Sequence, residues 1–186
     1  AMGKDVGEAL TDAAFTRTRL KGSMVEASWS GALSFFRRKY TKDLTGVDVA
    51  ITGIPFDTSV SNRPGARLGP EAIRRASAPH AWGPIWPWRF DPFDTLACID
   101  YGDCGFDWGE PMETPAAIEA HVAGILAAGA ATLNLGGDHF TTYPTLKAYA
   151  AKYGPMGMVQ FDAHRDVEQD AGGRIDHGSM FYYAVR

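Results

Sequence analysis

An α/β fold with a largely parallel sheet covered on both faces by helices, a three-layer α-β-α arrangement, is what this sequence predicts. Three observations predict it. Strand-length apolar runs alternate with helix-length segments. Each helix-length segment carries a proline in its first turn, where the missing N–H costs nothing. The residues most able to do chemistry come directly after strand ends, which is where doubly wound sheets bind their ligands.

The chain has 186 residues, the length of one ordinary domain, and residues 1–186 are read as one. Its composition is globular, with 45% hydrophobic and 22% charged residues. A formal net charge of −4 gives no argument for nucleic acid or an anionic membrane surface as a partner, and neither is expected. The two cysteines, Cys98 and Cys104, match no zinc or redox spacing and read as small buried thiols. No apolar run is long enough for a membrane span or a signal peptide, so a cytoplasmic enzyme is the expectation. Ala1-Met2-Gly3 reads as a cloning remnant.

Residues 4–45 read as an arm, helical in part, with no chemistry assigned. Val47 to Ile54 is β-branched, ends at Pro55 and forms the first strand. A polar loop from Asp57 to Gly69 follows, carrying Arg63 and Arg67, and then a helix with Pro70 in its first turn runs to about Ser77. Pro79 to Phe93 is too rich in proline and tryptophan for a regular helix. Leu96 to Asp100 is the second strand. Thr114 caps a helix with Pro115 at its first position, and Ile118, Val122, Ile125 and Leu126 mark its buried face up to Gly129. Ala131 to Leu135 is the third strand, and a helix from about Thr142 to Tyr153 leads to a fourth at Met158 to Phe161.

Two clusters after these strands carry the chemistry. Gly136-Gly137-Asp138-His139 follows the third strand and Asp162-Ala163-His164-Arg165-Asp166 follows the fourth. In extended backbone, residues two apart point the same way, so Asp162, His164 and Asp166 can leave the fourth strand on one side. If the two strands are neighbours, His139 meets them. Carboxylates with imidazoles and no thiolate suit Mn, Zn, Fe or Ni. Downstream, His177 in Asp176-His177-Gly178 is a candidate for moving protons near neutral pH. His80 and His121 have no partners in sequence and read as structural or solvated.

Leu135-Gly136-Gly137-Asp138-His139 and Phe161-Asp162-Ala163-His164-Arg165-Asp166 resemble two signatures of the ureohydrolase family, which includes arginase and agmatinase. Arg63-Pro64-Gly65-Ala66-Arg67-Leu68-Gly69-Pro70 is similar to that family's first loop, and Asp176 to Tyr182 resembles the agmatinase branch. The resemblance implies an arginase-like fold, two Mn²⁺ ions per subunit and hydrolysis of a small cationic guanidino substrate to urea and an amine. Agmatine yielding putrescine is the expected reaction, with a guanidino acid such as guanidinobutyrate as the runner-up. By motif, His139 would bind one ion and His164 the other. Asp162 would bridge them, Asp166 would complete the first ion's set, and His177 would match the proton-shuttling histidine. Nickel is the alternative metal, and a homo-oligomer, trimer or hexamer, is implied. Residues reading the far end of the substrate are unknown. A catalytically inactive relative kept for binding or oligomerisation is the competing function, and a metal-dependent deacetylase fits the motif poorly. The family's further Asp-x-Asp signature has no match here, so a truncation at Arg186 is expected.

Overall fold

The computed structural model describes residues 12–24, 26–169 and 172–186. Ala1 to Gly3, and with them the start of the expected arm, lie outside the described residues. Four strands form one sheet: β1 (Lys39–Tyr40), β2 (Val49–Ile54), β3 (Cys98–Asp103) and β4 (Ala131–Gly136), in the order β1-β3-β2-β4. The helices are α1 (Ala13–Thr16), α2 (Gly69–Ser77), α3 (Thr114–Ala127), α4 (Thr142–Tyr153) and α5 (Met180–Ala184). Direction follows from the ladder ends. Asp48 N–H donates to the Ala97 carbonyl at the start of β2 and β3, and Cys104 N–H donates to Gly53 at their ends, both at 2.8 Å. Starts meet starts and ends meet ends, so the two strands are parallel. Ala131 N–H to Asp48 (2.9 Å) and Asp138 N–H to Phe56 (2.7 Å) say the same of β4. β1 pairs parallel with β3, Lys39 beside Ile99. Each parallel pair joined in sequence is connected through a helix, as such pairs must be. No helix among the described residues is long and apolar enough to cross a membrane.

The chain divides into two compact units, and the division passes through the strands. The first holds the residues up to Thr52, Glu71–Gly102 and Gly129–Leu133. It contains most of α2, whose buried face is partly charged: Arg74 and Ser77 point inward while Ile73 stays exposed. Arg74 makes a two-pronged pair with Asp100 on β3, Nε to Oδ2 at 2.8 Å and a terminal nitrogen to Oδ1 at 3.0 Å. Asp100 is fully buried and also accepts the N–H groups of Phe35 (2.8 Å) and Gly102 (3.0 Å). The expected arm is mostly irregular. Its described helical parts are α1 and a 3-10 turn at Phe35–Arg37, and it is held by buried arginines. Arg37 pairs with Glu26 at 3.3 Å, and Arg17 donates to the Arg37 carbonyl at 3.0 Å. Arg38 stacks on the Phe93 ring at 4.2 Å, and burial pulls its pKa down to about 9.

The second unit holds Gly53–Pro70, Asp103–Ala128 and residues from Asn134 onward. Ile54, Cys104 and Ile118 form one apolar cluster with Phe106 against it. Val122 and Leu126 of α3 meet Ala148 and Tyr149 of α4 in another, as the helical spacing requires. Thr114 is the first helical residue of α3 and not its cap, because a 3-10 turn at Pro111–Glu113 leads straight into the helix. Gly129 past α3 and Gly154 past α4 take positive φ and end their helices.

One expected element is corrected. Met158 to Phe161 has no strand assignment, and Val159 and Phe161 are 79% and 97% exposed. A strand exists through its ladder partners, and this apolar run has none among the described residues. The alternation argument for Asp162, His164 and Asp166 therefore loses its basis in a strand.

Candidate metal centre

The site is built where β4 ends, within the second unit. Gly136 closes the strand and Gly137 turns the chain with φ +36°. A Cβ on Gly137 would lie 2.6 Å from the Phe56 carbonyl oxygen and nearer still to that of Ile54, so only glycine lets the main chain pass here. Asp138 then caps the 3-10 turn His139–Thr141, its Oδ1 accepting the Phe140 N–H at 3.0 Å. That turn presents the His139 ring, which stands edge-on to Phe181 of α5 at 5.4 Å.

His139, Asp162 and Asp166 come together, their ligand atoms all within 4.8 Å of one another. His139 Nδ1 lies 2.5 Å from Asp166 Oδ2 and 3.2 Å from Asp162 Oδ2. Local bonding, and not strand alternation, makes this possible. Asp162 Oδ1 accepts the His164 N–H at 2.9 Å, a side-chain turn that bends the backbone. Asp166 sits at φ +52°, a costly conformation for a residue with a side chain, and its carbonyl accepts the Phe181 N–H at 3.0 Å. That bond, with Glu168 N–H to the Gly178 carbonyl at 3.2 Å, ties the Asp166 segment to the start of α5.

His164 lies outside this group. Its side chain is 83% exposed, against 31%, 24% and 9% for His139, Asp162 and Asp166. Its Nδ1 is 3.7 Å from Asp162 Oδ1, so the two oxygens of Asp162 face two different imidazoles. His177 is half-buried, its Nδ1 bonded to the Ser59 carbonyl. Beside the group an open hollow of about 480 Å³ is lined by Asn134, Gly136, His139, Thr141, Thr145 and Asp162.

The three-residue group fits a hard or borderline divalent ion. Its donors are one imidazole nitrogen and carboxylate oxygens. Two ligands each about 2.0–2.2 Å from one ion stand roughly 3 Å apart or somewhat more, and the observed separations need only a slight opening. The backbone N–H of His164 chiefly holds the Asp162 carboxyl below the usual carboxylate range, which favours the charged, ligating form. Burial pushes Asp138 up, against the backbone bonds from Ser59 and Phe140.

A family model described as the Arginase family matches residues 47–186. The chain belongs to the arginase family. A curated agmatinase of Chromobacterium violaceum is 51% identical over 177 residues, which take in 94% of this chain and 55% of that protein. A crystal structure of a hypothetical agmatinase from Burkholderia thailandensis is 50% identical, with a TM-score of 0.90, and the match covers 94% of this chain and 56% of that one. Trypanosoma cruzi formiminoglutamase, in a structure with Mn²⁺, is 26% identical with a TM-score of 0.66, covering 76% of this chain and 48% of that one. The chain spans about half the length of the curated relatives it matches. Its parallel strands and intervening helices are those of the arginase fold, the class the strand–helix alternation predicts.

Sequence reasoning left Asp138 without a role of its own and did not single out Ser59. Asp138 carried a usable signal, since an aspartate directly before a helical turn is a capping residue. Ser59 carried none, because it acts through its backbone. In the same loop Asp57 accepts Arg67 Nε at 2.6 Å and the Gly65 N–H at 2.6 Å, so Arg67 is an ion-paired loop residue. The Arg67 bond chiefly lowers the Asp57 pKa.

Proposed function

We propose that the protein is a ureohydrolase that converts agmatine to putrescine and urea with two Mn²⁺ ions. The observation that carries the reading is the convergence of His139, Asp162 and Asp166 at the end of a parallel strand. The curated relatives named agmatinase supply the substrate. The Mn²⁺ in the T. cruzi formiminoglutamase structure supports the choice of metal.

His139 and Asp166 would hold one ion and His164 the other, with Asp162 between them. Supporting that division, one Asp162 oxygen faces His139 and the other faces His164. When bound, the ions supply a water molecule acidic enough to act as hydroxide near neutral pH. Asp162, its charge favoured by the His164 N–H, keeps the site anionic toward cations. His177 would bring a proton to the departing amine. Its anchored Nδ1 supports this, since Nε2 is then the nitrogen free to exchange a proton. Resonance makes the guanidinium carbon a poor electrophile, so a strong nucleophile held in position against it is the main requirement. We also propose a cytoplasmic location; a homo-oligomer is supported by the family resemblance alone.

Urea release by the full-length protein, measured with agmatine and with guanidinobutyrate, tests the reading. Faster release from agmatine is expected. Faster release from the guanidino acid overturns the substrate. Manganese binding with no urea from either compound overturns the activity and favours an inactive family member.

A further inference from the structure

We propose that Asp138 is a positioning residue for His177, fixing through the Ser59 backbone which ring nitrogen of His177 carries the proton. This deepens the ureohydrolase reading and rests on His177 having its place there. Asp138 is nearly fully buried, and three of its bonds tie the two loops together. Its N–H donates to the Phe56 carbonyl at 2.7 Å, Oδ1 accepts the Phe140 N–H at 3.0 Å, and Oδ2 accepts the Ser59 N–H at 2.9 Å. The segment that follows β2, at Phe56 and Ser59, and the residue that shapes the His139 turn are thereby clamped together. Ser59 then turns its carbonyl to His177 Nδ1.

A carbonyl oxygen can only accept. The neutral His177 ring must therefore carry its proton on Nδ1 and leave the Nε2 lone pair open. A free imidazole side chain prefers the opposite tautomer, so the anchor decides the outcome. The anchor needs a carboxylate at 138, because both oxygens are accepting from N–H groups. An amide there has one accepting oxygen and one donating nitrogen. The oxygen would stay on the Phe140 N–H, whose bond is buried, since a buried donor left unmade is the more costly loss. The partly buried Ser59 N–H would be released, and its carbonyl would no longer be held against His177.

The test is ¹⁵N NMR of the histidine rings in the full-length protein loaded with Zn²⁺, chosen because Mn²⁺ would broaden nearby lines. His177 is assigned by its loss in His177→Ala. In the unaltered protein, Nδ1 is expected in the protonated range and Nε2 in the unprotonated range. In Asp138→Asn the two lines should move toward each other as the tautomers mix. In the same variant with Mn²⁺, kcat for urea should fall by about tenfold, part of the usual worth of an acid–base group, with KM within about twofold and metal content unchanged. A proton on Nε2 in the unaltered protein overturns the proposal. So do unmoved lines in Asp138→Asn, whether or not metal is lost. If that variant does not fold, Ser59→Pro removes the N–H that Asp138 holds and is read the same way. Lines that move while urea release is unchanged support the positioning and refute the catalytic role of His177 instead.

Discussion

Replacing Arg74 by methionine should destabilise the protein by about 3 kcal/mol, the lower end of the cost of breaking a buried ion pair from one side. The magnitude follows from what remains around Asp100. This carboxylate is fully buried and accepts four hydrogen bonds, two of them from Arg74. Methionine fills most of the volume and removes both of those bonds together with the Arg74 positive charge. The N–H groups of Phe35 and Gly102 still point at the carboxylate, and this keeps the loss from reaching the upper end of about 5 kcal/mol. In urea denaturation with a slope of about 2 kcal/mol per molar, the midpoint should fall by about 1.5 M with the slope unchanged. Adding Asp100→Asn should restore about half, because the buried charge is gone while one backbone donor keeps an oxygen. Adding Asp100→Leu should restore nothing, since it strands both N–H groups. A midpoint shift below about 0.3 M for Arg74→Met would show that solvent screens the pair and that the burial argument is wrong.

The remaining predictions concern the site. His139→Ala or Asp162→Ala in the full-length protein should lower manganese content, by elemental analysis, together with urea release; unaltered metal content in both would remove them as ligands. His177→Ala should lower kcat by about 10²–10⁴ while metal content survives, and loss of metal would recast His177 as a ligand or structural residue. Acid should loosen the Asp57–Gly69 loop. The Arg67 bond holds the folded pKa of Asp57 below its unfolded value of about 3.9, so the stabilisation is complete above that value and is lost as pH falls through the folded pKa. Hydrogen exchange at the Gly65 and Arg67 N–H groups should therefore stay slow down to about pH 4 and speed up below it. Loss of protection between about pH 5 and 7 would contradict the assignment.

What the sequence makes legible here is what local pattern controls. Val47–Ile54, Leu96–Asp100 and Ala131–Leu135 are the runs that predict strands; β2 and β4 lie on theirs to within two residues, while β3 starts later, at Cys98, and runs on to Asp103. Pro70, Pro115 and Pro144 mark the openings of α2, α3 and α4 because proline fits only a first turn. β1 is two residues long, too short for any periodicity. Met158 to Phe161 has strand composition, but composition cannot supply a ladder partner. The pairing of Arg74 with Asp100 spans 26 residues of sequence, and neither residue signals the other. At the site, the motif identifies His139, Asp162 and Asp166. That Asp166 joins them through a left-handed backbone, with His164 turned to solvent, depends on bonds to α5 and on a local turn that spacing does not encode.

Gly137 has a consequence at the level of the gene. A glycine codon is one nucleotide away from codons for alanine, serine, cysteine, arginine, tryptophan, valine, aspartate and glutamate. Every one of these residues has a Cβ, and a Cβ at 137 meets two carbonyl oxygens, one at the end of β2 and one just past it. Both are backbone atoms, so no rotamer change can make room. The step from strand to the His139 turn thus has no single-base missense neighbour that fits. A single-base change can reshape the turn only through the residues on either side.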